Sequence, residues 1–435
     1  MSSEATSLPL EACLDALIDY RGKTPKKTTA GIPLITAKIV KGGRIEKPTE
    51  FIAADQYDTW MRRGLPQAGD VVLTVEAPLG EVAQLGPEKI ALAQRVVTLR
   101  GKVGVLDSTY LLYLLQTEEV QSRLRARATG TTVLGIKQSE LRMVMLDLPS
   151  FDLQLNAAAT LKALDNRIAL LRETNTTLES IAQALFKSWF VDFDPVHTKQ
   201  QGLAPTGIDE ATAALFPDSL ETSALGLVPK GWGVGPILDV ASLLSGGTPK
   251  TDRADYWGGG IAWASAKDVS QSNGPALIRT ERNITQKGLE ESATRMIPAL
   301  ATMVVARGAT TGRMVFLGDP MAMNQTCYAL TSKINSPVAL HCLLRQEIGA
   351  LVKSAHGSVF DTITTSTFAQ SKVVKPFPKL LERFEEIAGP VFRQIVVGTG
   401  TAHTLATLRD ALLPRLISGQ LRLPQAEAEM AEAIA

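Results

Sequence analysis

Along the middle of the chain, apolar residues recur at alternating steps of three and four. Leu161, Leu164, Ile168, Leu171, Leu178 and Leu185 form a heptad seam, with Asn175, Ala182 and Trp189 on the same line. No glycine or proline interrupts the 36 residues from Leu155 to Phe190, which as one helix would extend roughly 54 Å. Such a helix needs a partner. A second seam, through Ala388, Val391, Ile395, Leu405, Leu412 and Leu416, is less regular and is interrupted by Pro390, Gly398 and Gly400. The two helices are expected to pair antiparallel and to hold two globular parts apart. Asn175 either fixes the register of that pairing or sits at the edge of the seam.

Ahead of the first helix the pattern is mixed. Turn formers at Lys41–Gly43, Gly64–Asp70 and Leu85–Lys89 bound short β-rich runs such as Val71–Val75 and Arg95–Arg100. The amphipathic stretch Thr109–Ala128 predicts a helix. The same order recurs farther on. GKTPK at 22–26 matches GGTPK at 246–250, and the segment from Gly69 matches that from Ala301 at an offset of 232. Gln94 pairs with Gln325. The stretch from Thr129 matches that from His356 at an offset of 227, as does Leu178–Phe190 with Leu405–Ile417. Ordered blocks at nearly constant spacing mark an internal repeat. The predicted fold is therefore α+β: two tandem, pseudo-repeated α/β domains separated by two long, antiparallel-paired helices. Boundaries are expected at 1–150, 151–195 (helical), 196–230 (a connector rich in Pro, Gly and small polar residues), 231–378, 379–422 (helical) and 423–435 (an acidic tail).

Composition adds less than its distribution does. With 435 residues, 45 Lys+Arg and 44 Asp+Glu, the chain has a net charge of +1, which taken whole argues against a nucleic-acid binder. Divided along the repeat, the balance changes: residues 1–150 carry +2 and 230–378 carry +5, whereas 151–229 carry −5 and 379–435 carry −1. Two basic heads on an acidic scaffold suit polyanion binding at the heads and protein contacts elsewhere. Three cysteines, none in a CxxC pair, give neither a disulfide framework nor a zinc ribbon. The first thirty residues lack the apolar core of a signal peptide, so a cytoplasmic protein is expected.

Catalytic motifs fail one by one. A P-loop ending at Gly22-Lys23-Thr24 would need glycine where Leu17 stands. No acidic residue lies two positions before a lysine, as a PD-(D/E)xK nuclease requires, and no Asn-Pro pair marks an amino-methyltransferase loop. The four histidines form no metal-binding pair. The chain reads as a recognition protein with no catalytic or metal residues.

The GKTPK and GGTPK segments, GATTGR at Gly308, ALFKSWFVDFDPV at Ala184, ALFPDSLETSALGLVPKGW at Ala214 and LRDALLPRLISGQL at Leu408 together resemble the specificity subunits of type I restriction-modification enzymes. The resemblance covers nearly the whole chain. It implies two target recognition domains, each followed by a conserved helical region, in a non-catalytic, sequence-specific DNA-binding subunit. Each domain would read one half of a bipartite target in double-stranded DNA. The helices would dock two modification (methyltransferase) subunits, and restriction subunits would complete the complex, with no membrane involved. No cofactor would be bound by this chain: S-adenosylmethionine, ATP and Mg would sit on the partners. The alternative is a fused methyltransferase or endonuclease carrying its own recognition domains, and a third reading is an adaptor built on long helices with no DNA role.

Phosphate contacts call for Lys, Arg and small polar residues, and base reading for Arg, Lys, Asn and Gln. The candidates in or beside Gly/Thr-rich loops are Arg21, Lys23, Lys26, Lys27, Lys38, Lys41, Arg44 and Lys137 in the first domain. In the second they are Lys250, Arg253, Lys267, Arg307, Arg313 and Asn324. Arg123, Arg125 and Arg127 close a predicted helix, where cations are favoured in any case. Trp257 and Trp263 either lean on DNA or belong to the core.

Overall fold

The computed structural model describes residues 6–20, 22, 24–272, 274–354, 362–421, 425–426 and 429. It divides into two compact units, Met1–Arg167 with Thr404–Ala435, and Ile168–His403.

In the first unit, strand Thr6–Pro9 pairs antiparallel with Met145–Leu148 and so closes the two ends of one α/β module. Between them lies an antiparallel sheet in the order Leu14–Asp19, Val96–Gly101, Val71–Val75, Leu79–Gln84. A smaller sheet contains Ala91–Leu92 parallel to Ile32–Ile35, then Phe51–Ile52 and Lys27–Thr28. Leu34, Ile35, Ile52, Val72 and Val96 form the core between them. The helix predicted over 109–128 is two helices, Ser108–Leu114 and Glu118–Ala126. Thr117 starts the second by accepting a bond from the Val120 amide, and this local cap overrides the continuous apolar spacing. The long helices enter the unit through buried Leu161, Leu164, Leu405, Leu412 and Leu416. Asp165 fastens them, accepting from Arg409 at 2.6 Å and from the buried Tyr113 hydroxyl at 2.7 Å.

The second unit repeats the plan. Gly233–Pro236 pairs with Lys372–Lys375, each 227 positions beyond its counterpart. Its main sheet runs Ala241–Ser245, Cys327–Ser332, Thr302–Val305, Met314–Leu317, with Ala276–Leu277 added parallel at the edge. The second sheet is ordered Arg282–Ile284, Trp257–Ala264, Met321–Met323, Met296–Ile297. In the central strand the structural offset is 231, not 232: Val75 accepts from the Ile136 amide at 3.0 Å, and Ala306 accepts from the Ile363 amide at 2.9 Å. One residue matters here because it exchanges the two faces of a strand.

Both long helices are 40 residues, Phe151–Phe190 and Pro378–Ile417, again 227 apart at each end. Within the second unit they run antiparallel, Asn175 bonding Thr399 at 3.1 Å and Phe186 meeting Phe384 at 5.6 Å between ring centroids. The interruptions expected in the second seam do not break it. Pro390 lies on the exposed side, where the carbonyl it leaves unbonded can meet water. Gly398 is buried opposite Asn175, and a Cβ there would come within 2.6 Å of the Asn175 Oδ1. Asn175 is thus a buried member of the pairing, 3% exposed. A Gly398→Val chain is expected to lose about 1–3 kcal/mol of stability in urea unfolding by overpacking. Combining it with Asn175→Ala should return much of that loss.

Two expectations are corrected. Leu171, Leu178 and Leu185 are only half-buried, because the buried stripe drifts to Glu179 and Phe186, as a straight helix of 3.6 residues per turn must against a 3.5 repeat. Val391 is likewise half-buried while Phe392 and Ile395 are fully packed. The 196–230 connector is folded: helices Asp194–Gln200 and Glu210–Ala214 precede a hairpin of Leu220–Ser223 with Gly226–Pro229. Val196 and Phe216, with Trp232 just beyond, pack onto Trp189, Phe190 and Phe384. Arg383 donates to Thr212 and Asp209, both at 2.8 Å. The Thr212 amide and then Arg383 hold the Asp209 carboxyl well below the usual carboxylate range. In the 423–435 tail, Ala426 is buried and Glu429 pairs with Arg415 at 2.7 Å.

Candidate nucleic-acid interface

Gly22, at the start of the first module's GKTPK segment, lies at one end of the main sheet, beside the turn after Val75. There Gly22, Glu76, Gln94, Arg95, Thr129 and Lys137 line one open cleft. Its far wall is a pinned loop: Thr129 and Gly135 exchange backbone bonds at 2.8 and 2.9 Å, and Ile136 is tied to Val75. Arg95 lies 3.8 Å from Glu76. Amides, a hydroxyl, glycine backbone and two cations form the mixture that contacts phosphates and base edges.

The repeat places a matching loop, glutamine and turn in the second module. The Gly246–Lys250 loop meets Gln325 through a hydrogen bond from the Thr248 hydroxyl. Arg307 and Arg313 bracket the turn between the central strands, where Glu76–Pro78 lies in the first module. Trp263 is core, 5% exposed, and Trp257 is half-buried; their indole N–H groups donate to the Gly247 and Lys250 carbonyls, each at 3.1 Å. The two tryptophans therefore hold the loop in place.

The candidate cations separate into two groups. Lys27 pairs with Glu50, Lys41 with Glu46 and Lys267 with Glu281, and Arg253 forks onto Asp255 at 2.9 and 2.7 Å. Lys26, Lys38, Arg44, Lys137, Lys250, Arg307 and Arg313 are exposed and carry no ion pair among the described residues. Lys38 and Lys267 are structural counterparts, each second after a strand of the smaller sheet and a Thr or Ser. Asn324 shapes its own turn, its Oδ1 accepting from the Thr326 amide and hydroxyl at 3.2 and 2.8 Å. Arg21 and Lys23 lie outside the described residues. Arg123, Arg125 and Arg127 are all bound to acids: Glu119 with Asp147, Glu118, and Glu140. Sequence reasoning did not select Gln94 and Gln325 as site residues although their pairing in the repeat marked them; Arg95 and Thr129 carried no signal before the fold brought them together.

No group of three or more His, Cys, Asp or Glu among the described residues is placed to hold a metal. All three cysteines are buried, and burial raises their thiol pKa, that of Cys327 to about 12. No helix among the described residues is long and apolar enough to cross a membrane.

Two copies of one α/β module, each with a Thr-Pro-Lys loop and a glutamine at the same sheet end and each followed by a 40-residue helix, define a tandem protein of repeated modules. Relatives make the class particular. The chain belongs to the specificity subunits of type I restriction-modification systems: the type I restriction modification DNA specificity domain matches residues 20–180 and again 229–388. The MjaIX specificity subunit of Methanocaldococcus jannaschii is 25% identical over 361 residues, 82% of this chain and 78% of its own. The HindI specificity subunit of Haemophilus influenzae is 25% identical over 378 residues, 77% of this chain and 82% of its own. The S subunit of M. genitalium shares the fold, with a TM-score of 0.54 at 18% identity over 95% of this chain and 96% of that one.

Proposed function

We propose that this chain is the non-catalytic DNA reader of its complex, each module contacting one half of a bipartite target and the long helices docking two modification subunits. The observation that carries this reading is the repetition of one arrangement: a Thr-Pro-Lys loop, a glutamine and a backbone tie stand at the same sheet end of both modules. One chain then offers two recognition surfaces of related build to two identical partners. S-adenosylmethionine, ATP and Mg belong on those partners.

Mapping methylated adenines in a host that expresses the chain with its modification subunit tests the proposal. A two-part motif is the expected result; methyl transfer by the purified chain alone would favour the fused-enzyme reading. The cleft cations should act mainly on phosphates. Arg307→Ala is expected to weaken binding at every sequence and to reduce the salt slope of log K by about 0.9, as loss of one phosphate contact does. Anisotropy titrations of the complex at several salt concentrations would measure both.

A further inference from the structure

In the second module, strand Arg282–Ile284 pairs with Trp257–Ala264, and the register sets Arg282 directly opposite Trp263. The Arg282 guanidinium carbon lies 3.5 Å from the centroid of the Trp257 ring and 5.9 Å from that of Trp263. The two indoles meet edge to face at 5.2 Å, and their N–H groups are anchored to the Gly247 and Lys250 carbonyls. The surface under Arg282 is therefore fixed. Other cations nearby are consumed by carboxylates: Arg253 and Lys287 share Asp255, and Lys267 holds Glu281. Arg282 is exposed, and among the described residues its guanidinium has no protein acceptor.

We propose that Arg282 is a specificity-determining residue that reads a guanine in the half-site met by the second module; this rests on the proposed DNA-reading role. A guanidinium has five N–H donors in a rigid plane, and stacking on an aromatic face engages the plane while leaving the donor edge available. Two parallel donors match the O6 and N7 acceptors that guanine presents in the major groove. A phosphate contact requires charge and reach but no fixed plane, and Lys250 on the adjoining loop supplies those. Fixing the guanidinium before DNA arrives removes rotamer entropy that a free arginine would lose on binding. Sequence reading missed Arg282 because Trp257 is 25 positions away and comes near it only through a bulged strand pairing that sets Trp257 across from Ile284.

The test uses the specificity subunit in complex with its modification subunit and duplexes carrying the motif mapped for that complex. Each guanine is replaced in turn by 7-deazaguanine, which lacks the N7 acceptor. Wild-type affinity should fall roughly 10-fold or more at one guanine of one half-site. Arg282→Ala and Arg282→Lys should each weaken binding to the unmodified duplex by a similar factor, and should lose nothing further on the duplex carrying that one replacement. A uniform loss on every duplex, or near-wild-type binding by Arg282→Lys, would make Arg282 a phosphate contact and overturn the proposal. So would additive losses at every guanine. A wild-type complex without sequence preference would instead refute the DNA-reading role itself.

Discussion

Trp189→Ala is expected to destabilise the chain by about 3–5 kcal/mol in urea unfolding, the range for deleting a buried aromatic side chain from a packed core. Trp189 is 2% exposed and lies where three segments meet. Its ring packs edge to face on Phe216 of the connector at 5.3 Å, on Phe384 of the second long helix at 6.0 Å, and beside Phe190 at 6.0 Å. Such aromatic pairs add about 0.5–1.5 kcal/mol each beyond the area they bury. The loss should have a location as well as a size. Without the indole, Phe216 has no floor, so the segment around 201–230 should become sensitive to limited proteolysis before the sheets unfold. Leu178→Ala, at a half-buried position of the same helix, should cost markedly less and leave that segment protected. Equal costs for the two would mean that the depth of burial does not decide how much a position on this helix contributes.

The contrast between Trp189 and Leu178 also indicates what a sequence can express. A repeat with a constant offset was legible, because the two closing strand pairs and the two 40-residue helices are all displaced by 227. Heptad spacing revealed that the helices exist but placed three leucines too deep, since periodicity specifies 3.5 while backbone geometry imposes 3.6. Gly398 read as a break because its reason lies across the interface, in the volume of Asn175. The connector read as loose because its composition is loop-like. Its anchors, Val196 and Phe216, are isolated in sequence and converge only in space. At the site, basic side chains in glycine-rich loops could be picked out by type, but not sorted into those already held by Glu50, Asp255 or Glu281 and those left open. Arg282 was invisible for the same reason: its significance is a cross-strand contact.

Glu179→Ala should cost about 1.5–3 kcal/mol, the worth of a hydrogen-bonded charged group, and should alter how stability depends on pH. Glu179, on the first long helix, accepts from Arg345 at 3.1 Å and approaches His341 Nε2 at 3.6 Å. His341 is 1% exposed, packed edge-on against Phe316 and Phe392, and its Nδ1 lies 3.1 Å from the Thr302 hydroxyl on the central strand. The direction of the bond between Thr302 and Nδ1 is set by the tautomer of the imidazole. Arg345, on helix Pro337–Ser354 of the second module, thereby ties that module to the long helix through the Glu179 carboxylate. Burial alone would raise the Glu179 pKa, but His341 and Arg345 outweigh it and hold the carboxyl below 4.5. Burial lowers the His341 pKa below 6.5, despite the opposing pull of Glu179. Both groups therefore release protons more readily when folded than unfolded. Their contributions are complete above the unfolded values and are lost as pH falls, from about 6.5 downward for His341 and from about 4.5 downward for Glu179. Melting temperature should decline in those two windows in the wild-type chain. His341→Gln should remove the upper one, and Glu179→Ala should remove the lower one. A His341→Gln chain whose melting temperature still declines between pH 6.5 and 5 to the wild-type extent would show that other histidines govern that window.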